Sequence, residues 1–109
     1  MLVNGIMWYI KFVSPEHYQL RRSDGSRTVG VTDYNTKTIY LNNLLYGEFL
    51  RRVLCHELVH VYCFSYNVEL DIDTEEILAD FISVYGTDIV NDLGTYLDSR
   101  YTDCYNEYV

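Results

Sequence analysis

A chain of 109 residues, 49% of them hydrophobic, has the length of one domain and enough apolar content for a core. Charged residues make up 22% and the net charge is −8, which argues against nucleic acid as the main partner, because phosphate binding needs a basic surface. Three cysteines, Cys55, Cys63 and Cys104, form an odd set without a signal peptide and read as free thiols in a reducing cytoplasm.

The apolar N-terminus, Leu2 to Val13, lacks a basic leader and contains Lys11. It fits neither a signal sequence nor a membrane span. The charge is unevenly placed. Residues 1–68 carry seven Lys or Arg against five acids, whereas residues 69–109 carry Arg100 alone against eleven acids. The plain reading is a solvated acidic face on C-terminal helices.

In chain order, Ile6, Trp8, Ile10 and Phe12 alternate with Met7, Tyr9, Lys11 and Val13, which is the period of a strand. Ser14-Pro15-Glu16 is also compatible with the start of a short helix. Ser23-Asp24-Gly25-Ser26 predicts a tight turn joining His17–Arg22 to Arg27–Asp33. A turn at Tyr34–Thr36 leads into a strand over Thr38–Leu41. From Asn43 the period becomes helical, with Asn42 or Asn43 as N-cap and Leu50, Leu54, Leu58 and Val61 as the apolar stripe. This helix is expected to run to about Tyr66. A second helix is predicted from Asp73 or Thr74 to Gly86, with Ile77, Leu78, Phe81, Val84 and Tyr85 inward. Asp88 caps a predicted third helix, with Ile89, Leu93, Tyr96, Leu97 and Tyr101 inward. Strands first and helices after mean an α+β fold. The expectation is one domain over 1–109, a small antiparallel or mixed sheet followed by three helices.

Residues 56–60 read His-Glu-Leu-Val-His. On a helix, positions i and i+4 share a face one turn apart, so His56 and His60 can reach one Zn²⁺. Glu57 stands beside the first ligand, close enough to take a proton from an activated water. It also falls inside the apolar arc of the helix, whereas Arg51 and Arg52 fall outside it. A carboxylate placed there needs a partner. The rival is a pair of satisfied core histidines beside an incidental glutamate.

A catalytic zinc site needs a third protein ligand and an open position. A metzincin pattern fails, because Tyr66 and Cys63 stand where it requires His and Gly. Glu76 and Asp80, four apart on one helical face, supply a ligand and a carboxylate able to orient a ligating histidine. Glu76 has a capping reading too, with Asp73 as N-cap. Glu75 is the next candidate ligand. Cys63, one turn beyond His60, either packs in the core or closes a four-ligand structural site. His17 is expected to have no role. Of twelve tyrosines, most belong at the core edge, and none is singled out as an oxyanion donor.

With His56-Glu57-Leu58-Val59-His60 followed by Glu76-Ile77-Leu78-Ala79-Asp80-Phe81, the chain resembles the gluzincins. It is most similar to the ImmA/IrrE-type metallopeptidases of phages and mobile elements, over about residues 27–85. In that pattern the Phe stands one position later than Phe81 does. The resemblance implies a zinc metallopeptidase, and about one Zn²⁺ per chain is expected. It also implies a protein substrate, a helix-turn-helix regulator being one kind. Against that pattern the chain is very short, and no sensor or helix-turn-helix segment is expected within it, which leaves the biological substrate open. The expected partner is a peptide or protein, with no nucleic acid and no membrane, and the oligomeric state is open. The alternative function is a non-catalytic zinc-binding module that acts by gripping a partner.

Overall fold

The computed structural model describes residues 1–108, with side chains for residues 1–98. Two short strands, β1 (Leu2–Val3) and β2 (Ile6–Met7), pair antiparallel. Asn4 and Gly5, both at positive φ (48° and 78°), make the two-residue turn between them. Asn-Gly is the preferred pair for such a turn. The apolar run from Leu2 is therefore folded back on itself rather than extended as one strand.

Trp8 is the pivot into β3 (Tyr9–Val13). Its ring is fully buried and meets Phe64 and Tyr34 edge-on, and its Nε1–H donates to Ser65 Oγ at 3.0 Å. Ile10 and Phe12, read as companions of Trp8, are exposed instead. The alternating pattern marks a strand but not which face is covered. A 3₁₀ turn over Tyr18–Leu20 follows, capped by His17, whose Nδ1 accepts from the Gln19 amide. The Asp24-Gly25 turn is present, but it closes only one bridge, Arg21 with Arg27. The predicted strand His17–Arg22 is thus mostly a turn.

β4 (Gly30–Asp33) and β5 (Thr38–Asn42) complete a three-stranded sheet of order β3-β5-β4. β3 runs parallel to β5 and β4 antiparallel to it, so the sheet is mixed. Thr38–Leu41 is the buried central strand. This segment offers no edge to a peptide, because both of its sides are already hydrogen-bonded. The free edge nearest the helices belongs to β4.

Helix α1 spans Gly47–Ser65. Its N-cap is Tyr46, with no side-chain cap bond, rather than Asn42 or Asn43. Asn42 Oδ1 instead accepts from the Leu44 amide in the preceding turn. Val3, Trp8, Ile39, Leu41 and Val61 form the main core, with Leu50, Val53, Leu54 and Leu58 of α1 packed on it. The helix ends in a left-handed Asn67 (φ 56°), with Val68 N–H bonded to Cys63 O and Asn67 N–H to Phe64 O. Those are the two bonds of a Schellman stop, here with Asn in the usual Gly place.

Helix α2 spans Ile72–Tyr108 without a break. Among the described residues there are therefore two α-helices, where the sequence reading predicts three. Gly86 stays helical, at a cost of about 1 kcal/mol relative to Ala, which neighbouring turns absorb. Nothing at Asp88 interrupts the ladder, and no proline follows. The packed face differs as well. Leu78 packs inward as expected, but it is joined by Ala79 and Ile82, with Ser83 buried too, while Ile77 is 70% and Phe81 51% exposed. Ile89, Leu93, Tyr96 and Leu97 are exposed too, and the side chains of Tyr101 and Cys104 lie outside the described residues. Small side chains let the two helix backbones approach closely, and that decides the rotation of α2. Among the described residues no helix is long and apolar enough to cross a membrane.

β4 meets α1 at Gly30. A Cβ there would lie 2.8 Å from Val53 Cγ1 and 3.2 Å from Leu41 Cδ2. Gly30→Ala is expected to cost about 1–3 kcal/mol by overpacking. A urea titration should show it as a lower midpoint at unchanged slope. An unchanged midpoint would mean that the strand shifts freely.

Candidate metal centre

The site is built where α1 crosses the first turns of α2 under the β4 edge. His56 and His60, one turn apart, turn their rings toward each other, with centroids 5.0 Å apart and Nε2 atoms 3.2 Å apart. Glu76 faces both rings. Its Oε2 lies 3.0 Å from His56 Nε2 and its Oε1 3.1 Å from His60 Nε2.

The outer ring nitrogens are also taken. His56 Nδ1 lies 2.9 Å from Asp80 Oδ1, and His60 Nδ1 lies 2.5 Å from Glu75 Oε2. A carboxylate beside Nδ1 holds the proton on that nitrogen. Each Nε2 is then left with its lone pair directed inward. In that tautomer two ring lone pairs and two carboxylate oxygens converge, a donor set suited to a cation. Ligands on a tetrahedral Zn²⁺ at about 2.0–2.1 Å are separated by about 3.3 Å. The observed spacings of 3.0 to 3.2 Å fit that polyhedron.

Glu57 is buried and stands apart from this cage. Its Oε2 is 3.9 Å from His56 Nε2, and its Oε1 accepts from Thr32 Oγ1 at 3.0 Å. Donor atoms of His56, Glu57 and His60 lie within 4.8 Å of one another. Glu76 approaches the two rings more closely than Glu57 does. Burial raises the Glu57 pKa, opposed by the two histidines and by the Thr32 hydroxyl.

The helices are held in register by named contacts. Arg51 bonds Glu48 on its own helix and reaches Ser83 O at 3.1 Å and Thr87 Oγ1 at 3.3 Å on α2. Asp71, not Asp73, caps α2, with its Oδ1 accepting from the Thr74 amide at 2.8 Å. The capping-box reading of Glu76 therefore fails, since Glu76 lies beyond the capped turn. Cys63 is buried against Val59 and Ala79, and burial, then the Glu75 charge, raises its thiol pKa. His17 stacks on Tyr18 and Tyr40, away from the cage.

A cleft of about 880 Å³ opens over these residues, between β4, α1 and α2. Tyr34 lines it, and burial followed by the charges of Glu75 and Glu57 pushes its phenol up to about 12, so it is a neutral O–H donor.

The structure thus brings together His56, Glu57, His60, Glu76 and Asp80. Sequence reasoning missed one neighbour and one contact of another. Thr32 carries no local signal, because its partner is 25 residues away. Glu75 is expected from the sequence as a fallback metal ligand or a first-turn acid, and the structure keeps it in the first turn but adds a contact to His60 Nδ1; the clue is an acid beside Glu76 on the same turn.

The family model that matches the chain is the SprT-like family, over residues 7–73. That span takes in the sheet and all of α1, and it stops short of Glu75, Glu76 and Asp80. It is a zincin-like, metallopeptidase-related family, different from the ImmA/IrrE-type group that the motif resembles. No curated protein and no solved structure matches the chain.

Proposed function

The chain belongs to the SprT-like family, and from that premise we propose that it is a zinc-dependent metallopeptidase acting on a peptide or protein substrate. His56, His60 and Glu76 hold the metal in this reading. The observation that carries it is the inward convergence of two imidazole Nε2 atoms and two Glu76 oxygens at 3.0 to 3.2 Å. When bound, zinc supplies Lewis acidity, polarising a carbonyl and bringing a water's pKa toward about 7.

The remaining chemistry falls to the chain's own residues. Glu57 accepts the proton of the attacking water and delivers it to the leaving amine. Thr32 holds one Glu57 oxygen, which leaves the other aimed at the cage. Asp80 and Glu75 fix the histidine tautomers. Tyr34, a neutral phenol in the cleft lining, is the oxyanion donor in this reading. The free β4 edge suits an extended peptide laid beside the site. Residues 1–109 act in this reading as a single cytoplasmic domain. A helix-turn-helix regulator, the substrate implied by the ImmA/IrrE resemblance, has no further support here.

The test is elemental analysis of purified chain. About one zinc per chain is expected, with Glu76→Ala reducing retention by about tenfold or more through loss of a ligand. Full zinc in Glu76→Ala would move the third ligand elsewhere, and its absence from the wild type would sink the reading.

A further inference from the structure

The chain has only eight Lys and Arg residues, and the structure distributes them unevenly in purpose. Arg27 pairs with Glu16 at 2.6 Å, and Arg51 pairs with Glu48 at 2.7 Å. Lys37 bonds the Tyr34 carbonyl and lies over the Phe64 ring at 4.9 Å. Lys11 sits on β3, the sheet edge farthest from β4. Three of the described basic side chains remain, Arg21, Arg22 and Arg52, and all three line the cleft. None of them has an ion-pair partner among the described residues. Arg22 feels Asp24, and Arg52 feels Glu48, only as charges at a distance.

Their placement is directional. Arg52 lies one helical turn before His56 on α1, and Arg21 and Arg22 approach from the turn that precedes β4. Glu76 and Asp80 line it from the α2 wall. The lining therefore takes basic groups from α1 and the turn before β4 and carboxylates from α2, in a chain whose net charge is −8. Unpaired guanidinium groups beside a reaction centre recognise a carboxylate, for which Arg has matching donor geometry.

We propose that Arg21, Arg22 and Arg52 form a specificity subsite for an acidic side chain of the substrate, an Asp or Glu displaced to one side of the scissile bond. This rests on the peptidase reading. The preference is positional, because the same charge near Glu76 and Glu57 is repelled. Nucleic acid is disfavoured by the acidic wall that a long polyanion would have to cross.

Binding separates this idea from catalysis. The zinc-loaded Glu57→Gln chain is titrated with dye-labelled, C-terminally amidated peptides that differ only by Glu or Gln, with the acid walked along the peptide. At one position Glu should bind about three- to fivefold more tightly than Gln, an advantage that shrinks as salt rises. The Arg22→Gln/Arg52→Gln double variant, checked for unchanged zinc content, should bring Glu and Gln within about twofold. Equal binding at every position, or a preference that survives the double variant, would overturn the proposal. So would a preference that requires a free C-terminal carboxylate, or an oligonucleotide that competes as well as the acidic peptide. Failure of the wild-type chain to cleave any peptide sinks the peptidase reading instead, and the Glu-over-Gln comparison still reads the subsite.

Discussion

Glu57→Gln is expected to keep about one zinc per chain and to lower peptide turnover by about 10²–10⁴-fold, the usual contribution of a positioned general base. The substitution preserves size and an oxygen able to accept from Thr32, which holds Oε1 at 3.0 Å. It leaves the two imidazoles and Glu76 in place. The loss should therefore fall on kcat, with little change in KM. Stability should move the other way in the metal-free chain. Burial raises the Glu57 pKa above 4.5, so the folded chain holds this proton more tightly than the unfolded one. Stability then falls as pH rises from the unfolded value through the folded one, and the Gln variant lacks that fall. Wild-type turnover retained by Glu57→Gln would remove the residue from the mechanism. A biological effect that survives while cleavage vanishes would favour a zinc-holding module that grips its partner.

The second large effect is expected from His56→Ala. It should empty the site and abolish the metal-dependent part of thermal stability. A ligand that binds only the folded chain stabilises it by about 2.7 kcal/mol at a hundredfold excess over Kd. For a chain of this size that corresponds to a Tm shift of roughly 10–20 °C. Chelation should lower the wild-type Tm by this amount and leave His56→Ala unmoved. His56 is a cleaner choice than His60. Its outer partner, Asp80, has a side chain 74% exposed and returns to water when the ring is removed. Glu75, behind His60, is only 13% exposed and would be left buried without a partner. A chelator-sensitive Tm in His56→Ala, equal to that of the wild type, would show that the histidine pair does not hold the ion.

The donor residues were legible because their spacing is local. His56 and His60 meet through helix geometry alone, and Glu57 falls in the apolar arc for the same reason. Glu76 and Asp80 were reachable because they share a face of one helix. Thr32 was not, since only the docking of β4 on α1 brings it to Glu57. The rotation of α2 was also hidden. Ile77, Phe81 and Val84 make the better apolar stripe, yet Ala79 and Ser83 pack against α1, because small side chains permit the approach that lets Glu76 reach both rings.

By itself the amino-acid sequence determined the α+β class, the long helix bearing His-Glu-Leu-Val-His, and the grouping of His56, Glu57 and His60 on it, all of which follow from period and i, i+4 spacing. Tertiary structure alone decided that Thr38–Leu41 is a central strand, that α2 runs through Gly86, and that Glu75 backs His60. It also decided that Arg21, Arg22 and Arg52 share one cleft. These outcomes depend on contacts between segments distant in the chain, and periodicity along one segment carries no information about which neighbour it will meet.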